Sequence, residues 1–213
     1  MSEGIKNKKE NKKENEKKVE SIEMKAILLG NSGVGKTNLI NTCVGLEFNE
    51  GSNPSSTGSF VQKLIKTENK NYLLNLWDTA GQEVYKSITK IFLKKSELVI
   101  FVYDITDIKS FKNLEYWITM SKEMIDNDFI SAIVGNKMDL YMREQVSEEE
   151  ARKYAESKGM KFQLVSAKDN PKAFTIFLKE LLEGTEGLSK IEISKDIINI
   201  KNDNVNEKKP CLC

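Results

Sequence analysis

The chain predicts an α/β fold, a mostly parallel sheet covered on both faces, on three observations. Apolar runs at residues 26–29 and 98–103 and a further stretch of buried-strand type at 130–134 alternate with stretches whose apolar residues recur at helical spacing. Between the first run and the first helical stretch stands Gly30-Asn31-Ser32-Gly33-Val34-Gly35-Lys36-Thr37, which fits the phosphate-cradling pattern G-x-x-x-x-G-K-[ST]. A length of 213 residues leaves room for one core of ordinary size, with tails left over.

Residues 1–22 are almost wholly Lys, Glu and Asn, too poor in apolar surface to offset their ordering entropy. They are expected to form a disordered charged tail, a solvated arm rather than a docking element. The folded domain is placed at 23–185, with its first strand opening near Glu23. The glycines of the next loop allow turns that point successive backbone N–H groups at an anion. Lys36 supplies a point charge for outer phosphates, and the Thr37 hydroxyl is placed to ligate magnesium. The helix opening there adds its dipole to the anion site. A glycine-rich turn that merely ends in Lys-Thr is the plain alternative, and the strand-then-helix context argues against it. Leu39, Ile40, Cys43 and Val44 continue the helix at the right spacing, and Gly45 marks its end.

Residues 51–58, rich in Ser, with one Pro, read as a loop. Residues 60–65 and 72–77 read as two strands joined by a hairpin connection at 67–71. The run at 98–103 is the next strand. Phe111, Leu114, Trp117, Ile118 and Ile125 fall on one face of a single long helix, and 130–134 form another buried strand. Ser147 with Glu150 three residues on reads as a capping box opening a helix through Lys158. A last strand is expected at 162–165. A last helix then turns Ala173, Phe174, Phe177, Leu178, Leu181 and Leu182 inward. From residue 186 the composition shifts to Lys, Asn and Ile, a flexible tail ending in Cys211-Leu212-Cys213.

Composition excludes several chemistries. There are 33 basic and 32 acidic side chains, so nothing suggests attraction of the whole protein to nucleic acid. With no histidine, Ser-His and Cys-His pairs and His-ligated zinc are ruled out. Three cysteines make no disulfide framework, and Cys43 is expected to be a buried thiol. No apolar run approaches the ~20 residues of a membrane span, and the N-terminus lacks a signal-peptide core, so a cytosolic location is expected.

Two further stretches carry chemistry. In Trp77-Asp78-Thr79-Ala80-Gly81-Gln82-Glu83, at a strand end, Asp78 can hold magnesium, usually through water. Gly81 can bring its N–H to a terminal phosphate, and Gln82 can orient a water for in-line attack. Asn136-Lys137-Met138-Asp139 follows a buried strand, and Ser166-Ala167-Lys168 comes later. Asp139 can accept from both the ring N–H and the exocyclic amine of guanine, whereas adenine offers no matching donors. Lys137 can lie along the base face, and the Ala167 N–H can reach the guanine oxygen. Alone, either stretch could be an ordinary polar turn; three pieces in this order are hard to produce by chance.

Together, residues 30–37, 78–83, 136–139 and 166–168 resemble the Ras superfamily of small GTPases over roughly residues 23–182. Residues 77–83, Ser87-Ile88-Thr89, residues 102–106 and the paired terminal cysteines look most like the Rab family. The resemblance implies the P-loop NTPase fold: six strands, one antiparallel, with about five helices. It implies GTP or GDP as bound nucleotide with Mg2+, held by residues 31–38, Ser55, Gly81, Asn136, Lys137, Asp139, Ser166, Ala167 and Lys168. Asn38 belongs to this set at the helix start, and Thr37, Ser55 and Asp78 are the implied metal ligands. Gln82 and Lys36 are the implied catalytic pair.

The Ser55 assignment rests on counting from Lys36 and back from Trp77 to the position of a Rab threonine, and Ser56 and Thr57 remain open as neighbours. An exposed aromatic triad of Phe60, Trp77 and Phe92 is implied to report the nucleotide state to partners. Its surroundings depart from the family: Tyr-Tyr-Arg-Gly becomes Phe92-Leu93-Lys94-Lys95. Cys211 and Cys213 resemble a double-prenylation signal, with Lys208 and Lys209 adding attraction to an anionic leaflet. The implied partners are an exchange factor, a GTPase-activating protein, effectors, a prenyl-chain carrier and an intracellular membrane, with the chain a monomer. The competing readings are a nucleotide-holding interaction module that no longer cycles, suggested by the divergent loop around Ser55, and a phosphate-loop ATPase or kinase, opposed by residues 136–139.

Overall fold

A computed structural model describes residues 21–50, 59–78 and 92–185. Six strands lie in one sheet in the order β2-β3-β1-β4-β5-β6. They are β1 (Ser21–Leu29), β2 (Ser59–Lys66), β3 (Asn71–Asp78), β4 (Leu98–Asp104), β5 (Ile130–Asn136) and β6 (Lys161–Leu164). β2 and β3 form an antiparallel hairpin, and every other neighbouring pair is parallel. The hairpin turn closes where Thr67 N–H and its hydroxyl both donate to Lys70 O, at 3.0 and 2.8 Å. Five helices flank the sheet among the described residues: α1 (Lys36–Cys43), α2 (Ile108–Lys112), α3 (Leu114–Met124), α4 (Glu148–Ser157) and α5 (Ala173–Thr185). The six-stranded, mostly parallel architecture is the one expected.

The strand period of two sorts the core into two layers. On β1, Met24, Ala26 and Leu28 face Leu39, Ile40 and Cys43 of α1 and Phe174, Phe177 and Leu178 of α5. Ile27 and Leu29 face the other side, with Phe111, Leu114, Trp117, Ile118, Ala151 and Ala155 of α2, α3 and α4. β4 is buried along its whole length, which is why it reads in sequence as an unbroken apolar run.

Three boundaries differ from expectation. β1 pairs with β3 from Ser21 onward, so strand order begins two residues before Glu23. The single helix expected over 111–125 is two, α2 and α3. Asn113 stands between them as the C-cap of one and the N-cap of the other, its backbone still right-handed (φ −77, ψ −6) and its N–H still bonded to Lys109 O at 3.0 Å. The apolar spacing survives that break, so periodicity alone could not show it. Ile125 lies past the end of α3, extended (φ −102, ψ 113) and still buried.

The other elements form for the reasons their residues suggest. Gly45 takes φ 92 just beyond α1, the left-handed position that ends a helix. The Ser147 hydroxyl accepts from Glu150 N–H at 3.2 Å, capping α4. Glu148, Glu149 and Glu150 then sit in its first turn, favourable against the helix dipole.

Candidate nucleotide site

The parallel strands all end on one side, and the site residues gather there. β1 delivers the chain into the loop at 30–35, which needs glycine at two points. A Cβ on Gly30 would sit 2.0 Å from Val102 O, and one on Gly35 would sit 2.3 Å from Asn136 Nδ2. Gly33 and Gly35 also hold φ of 81 and 94. The loop therefore closes against β4 and β5 at van der Waals limits and turns into α1 directly. Gly35 is the N-cap of α1 and has no side chain to bond the first amides, which leaves that end of the helix dipole facing the loop.

Lys36 is only 3% exposed. Its ammonium bends back over the loop and donates to Gly30 O and Asn31 O, both at 2.8 Å. A buried cation held by two carbonyls at a helix N-terminus is a site for an anion. Asn31 is positioned in turn from α3: Asn113 Nδ2 donates to its Oδ1 at 2.5 Å and Trp117 Nε1 at 3.2 Å. No local pattern in the sequence marks that buttress: Trp117 falls on the apolar face of its helix and Asn113 belongs to no motif.

Thr37 follows in the first turn of α1, partly exposed. Asp78 ends β3 and is register partner to Leu28, two residues before the phosphate loop, with 5% exposure. A hydroxyl and a carboxylate supply only hard oxygen donors. Among the described residues no cluster of three or more His, Cys, Asp or Glu forms a cage. This donor set fits a magnesium ion shared with phosphate oxygens, which takes one or two protein oxygens and not a dedicated pocket.

The base-side residues form a second, connected group. Asn136 ends β5, 2% exposed, and both ends of its amide are engaged. Nδ2 donates to Val34 O at 2.9 Å, and Oδ1 accepts from Ala167 N–H at 3.3 Å. One side chain thus ties the phosphate loop to the loop at 166–168. Ser166 Oγ donates to Asp139 Oδ1 at 2.6 Å and accepts from Asp169 N–H at 2.9 Å, which fixes the plane of the Asp139 carboxylate. Lys137 takes φ 66, a left-handed conformation costing a lysine about 1–2 kcal/mol. Its Nζ reaches Asp104 Oδ2 at 2.7 Å, and Asp104 Oδ1 accepts from Thr106 N–H and hydroxyl at 2.8 and 2.7 Å. Asp104, at the end of β4, is a positioning residue that the sequence reading did not single out, although Asp-x-Thr is a readable turn signal. Lys168 Nζ lies 3.4 Å from Glu50 Oε1, so the base-side loop also meets the segment after α1.

The structure thus brings together Asn31, Ser32, Gly33, Val34, Gly35, Lys36, Thr37 and Asn38 with Asp78, Asn136, Lys137, Asp139, Ser166, Ala167 and Lys168. Ser55, Gly81, Gln82, Cys211 and Cys213 lie outside the described residues. The aromatic triad is assembled: Phe60 stacks on Trp77 at 5.1 Å and Trp77 meets Phe92 at 5.3 Å between ring centroids. Lys25 Nζ sits 5.2 Å from the Trp77 ring, and burial lowers its pKa from the ordinary lysine value. Where the resembled pattern has Gly, Lys95 keeps the left-handed backbone, at φ 60.

Comparison with known proteins agrees with this geometry. The Ras family model matches residues 25–183. Ras-related protein Rab-21 of Geodia cydonium is 39% identical over 166 residues, covering 76% of this chain and 72% of the relative. Ras-related protein Rab-11B of Dictyostelium discoideum is 40% identical over 153 residues, covering 72% and 70%. Ras-related protein RabC of the same organism is 36% identical over 196 residues, covering 90% of this chain and 98% of its own. A phosphate loop and a base-side loop locked together by one asparagine, on this sheet order and within these matches, lead to one statement: the chain belongs to the Ras family of small GTPases, and its similarity is to the Rab proteins.

Proposed function

We propose that the protein is a Rab-like GTP/GDP switch of intracellular vesicle and membrane traffic that hydrolyses GTP slowly with Mg2+. The observation that carries this reading is the Asn136 amide, which couples the phosphate loop to the base-side loop. Asp139, held by Ser166, would take the guanine N1–H and exocyclic amine, and the Ala167 N–H, which donates to Asn136 Oδ1, is the donor assigned to the guanine oxygen when the base is bound. Lys137 covers the base with its stem while Asp104 holds its ammonium. Lys36 and the amides opening α1 bind the phosphates. Thr37 and Asp78 would hold the metal in either nucleotide state, and Ser55 would join them only with GTP. When bound, magnesium neutralises charge that develops on the phosphate oxygens during transfer.

Gln82 orients the attacking water, with Gly81 N–H on the terminal phosphate. The chain has two arginines, Arg143 and Arg152. Arg152 on α4 is paired with Glu148 and lies over the Phe162 ring, and Arg143 is exposed at the end of the 3-10 turn Met138–Arg143. Neither is built into the phosphate loop, which is the physical ground for slow intrinsic turnover and for an activating protein that supplies the missing charge. Prenyl groups on Cys211 and Cys213 would anchor the chain; no helix among the described residues is long and apolar enough to cross a membrane. An exchange factor, effectors meeting the Phe60, Trp77 and Phe92 face and a prenyl-chain carrier complete the cycle, with the GTPase itself monomeric.

Gln82→Leu tests the cycle. It keeps bulk and removes the groups that orient water, so activator-stimulated single-turnover phosphate release should fall by about a thousandfold or more while GTP binding persists. Equal release from wild type and variant would favour a nucleotide-holding module that does not cycle.

A further inference from the structure

Behind the base-side loop lies a cavity of about 590 Å³ that the nucleotide chemistry does not use. α1 and the segment after it form one wall, with Cys43, Leu46 and Phe48, and the start of α5 forms the other, with Pro171 and Ile176. Thr175 Oγ1 meets Cys43 Sγ at 3.3 Å and closes the floor between the two helices. Leu46 is 59% exposed and Ile176 53%, on facing walls of the same cleft. The rim is basic: Lys63 and Lys172 stand there against Glu47, while Lys168 is paired with Glu50. Ala167 and Lys168 line the cavity as well as belonging to the base-side loop, so whatever fills it leans on the nucleotide site from behind.

We propose that this cavity is the seat of the chain's own C-terminal segment, residues 191–200. Five of those ten residues are isoleucine, and they carry Glu192 and Asp196 against Lys195, which complements the basic rim. Ile193, Ile197 and Ile200 recur at helical spacing, so one face can enter an apolar cleft. The reach suffices. α5 ends at Thr185, and Ile176 lies nine residues back along it, ~14 Å at 1.5 Å per residue. The eight residues from Thr185 to Ile193 span up to ~26 Å when extended. The other terminal segment is a poor match, because residues 1–20 carry seven lysines against five glutamates and little apolar surface. Seating residues 191–200 would shelter their isoleucines from water and would leave only the residues beyond 200, with Cys211 and Cys213, to extend from the domain.

Amide hydrogen exchange on the full-length, GDP-loaded chain tests this. Wild type is compared with Ile193→Asp/Ile197→Asp in the tail and with Ile176→Asp and Leu46→Asp in the cavity. The expected result is reciprocal: amides at 44–48 and 172–176 exchange at least threefold faster in the tail variant, and amides at 191–200 exchange at least threefold faster in either cavity variant. Leu46→Asp changes a largely exposed side chain and serves if Ile176→Asp perturbs α5. Rates in the wild-type tail equal to those of a free chain, unchanged by any variant, would overturn the proposal. So would protection that falls on tenfold dilution, which would assign the cavity to a second copy. Cavity protection that persists in the tail variant would overturn it too, in favour of another occupant. Guanine nucleotide content is measured on the same samples, so loss of the docking leaves the GTPase reading standing or falling on its own.

Discussion

Asp139→Asn is expected to move base preference from guanine to xanthine by about a hundredfold or more. The carboxylate presents two acceptors, matching the two donors on the guanine edge. An amide presents one acceptor and one donor, which matches xanthine, where an oxygen replaces the exocyclic amine. Against guanine the new amide leaves a buried donor facing a donor, and each unpaired polar group costs about 1–3 kcal/mol. Ser166 Oγ, which donates to Asp139 Oδ1 at 2.6 Å, can still donate to an amide oxygen, so the loop should keep its shape. Competition of GDP and xanthosine diphosphate for the refolded or exchanged protein reads the ratio directly. An unchanged guanine preference in the variant would remove Asp139 from the base site.

Asn136→Ala should weaken GDP binding by about thirtyfold or more through the two loops that its amide joins. It removes the donor to Val34 O and the acceptor for Ala167 N–H, two backbone groups in residues 1% and 3% exposed. Leaving both unpaired costs about 2 kcal/mol at the low end, and every 1.4 kcal/mol is tenfold in Kd. The phosphate and base loops would then move independently, so affinity for both parts of the nucleotide should fall together. Dissociation of a fluorescent GDP analogue measures it, with thermal unfolding at saturating GDP as the check on folding. Less than a threefold change in affinity would mean that the asparagine does not join the loops in solution.

Much of this was legible in the sequence because function and local backbone requirements coincide there. Gly30 and Gly35 are glycine because a Cβ would strike Val102 O and Asn136 Nδ2, and the same small residues spell the phosphate-loop pattern. The burial of β4 wrote itself as an unbroken apolar run, and the Ser147 cap on α4 as Ser-x-x-Glu. What stayed hidden depends on contacts distant in the chain. Asn113 and Trp117 hold Asn31 from 82 and 86 residues away, and no local pattern announces such a bond. Asp104 stands within the Rab-like stretch 102–106, but its grip on Lys137 requires β4 and β5 to be neighbours. The break between α2 and α3 was hidden because apolar spacing is the same for one helix or two in line. The cavity between α1 and α5 was hidden because its apolar residues, Leu46 and Ile176, follow no single periodic face.

The central claim, that the chain holds a guanine nucleotide between the Asn136–Asp139 and phosphate loops, is tested most directly by what the purified protein carries. The full-length chain is purified in magnesium, denatured, and its released nucleotide is identified by ion-exchange chromatography. GDP or GTP at close to one per chain is the predicted result. Bound ATP or ADP, or a nucleotide-free chain that takes up ATP as readily as GTP, would contradict it.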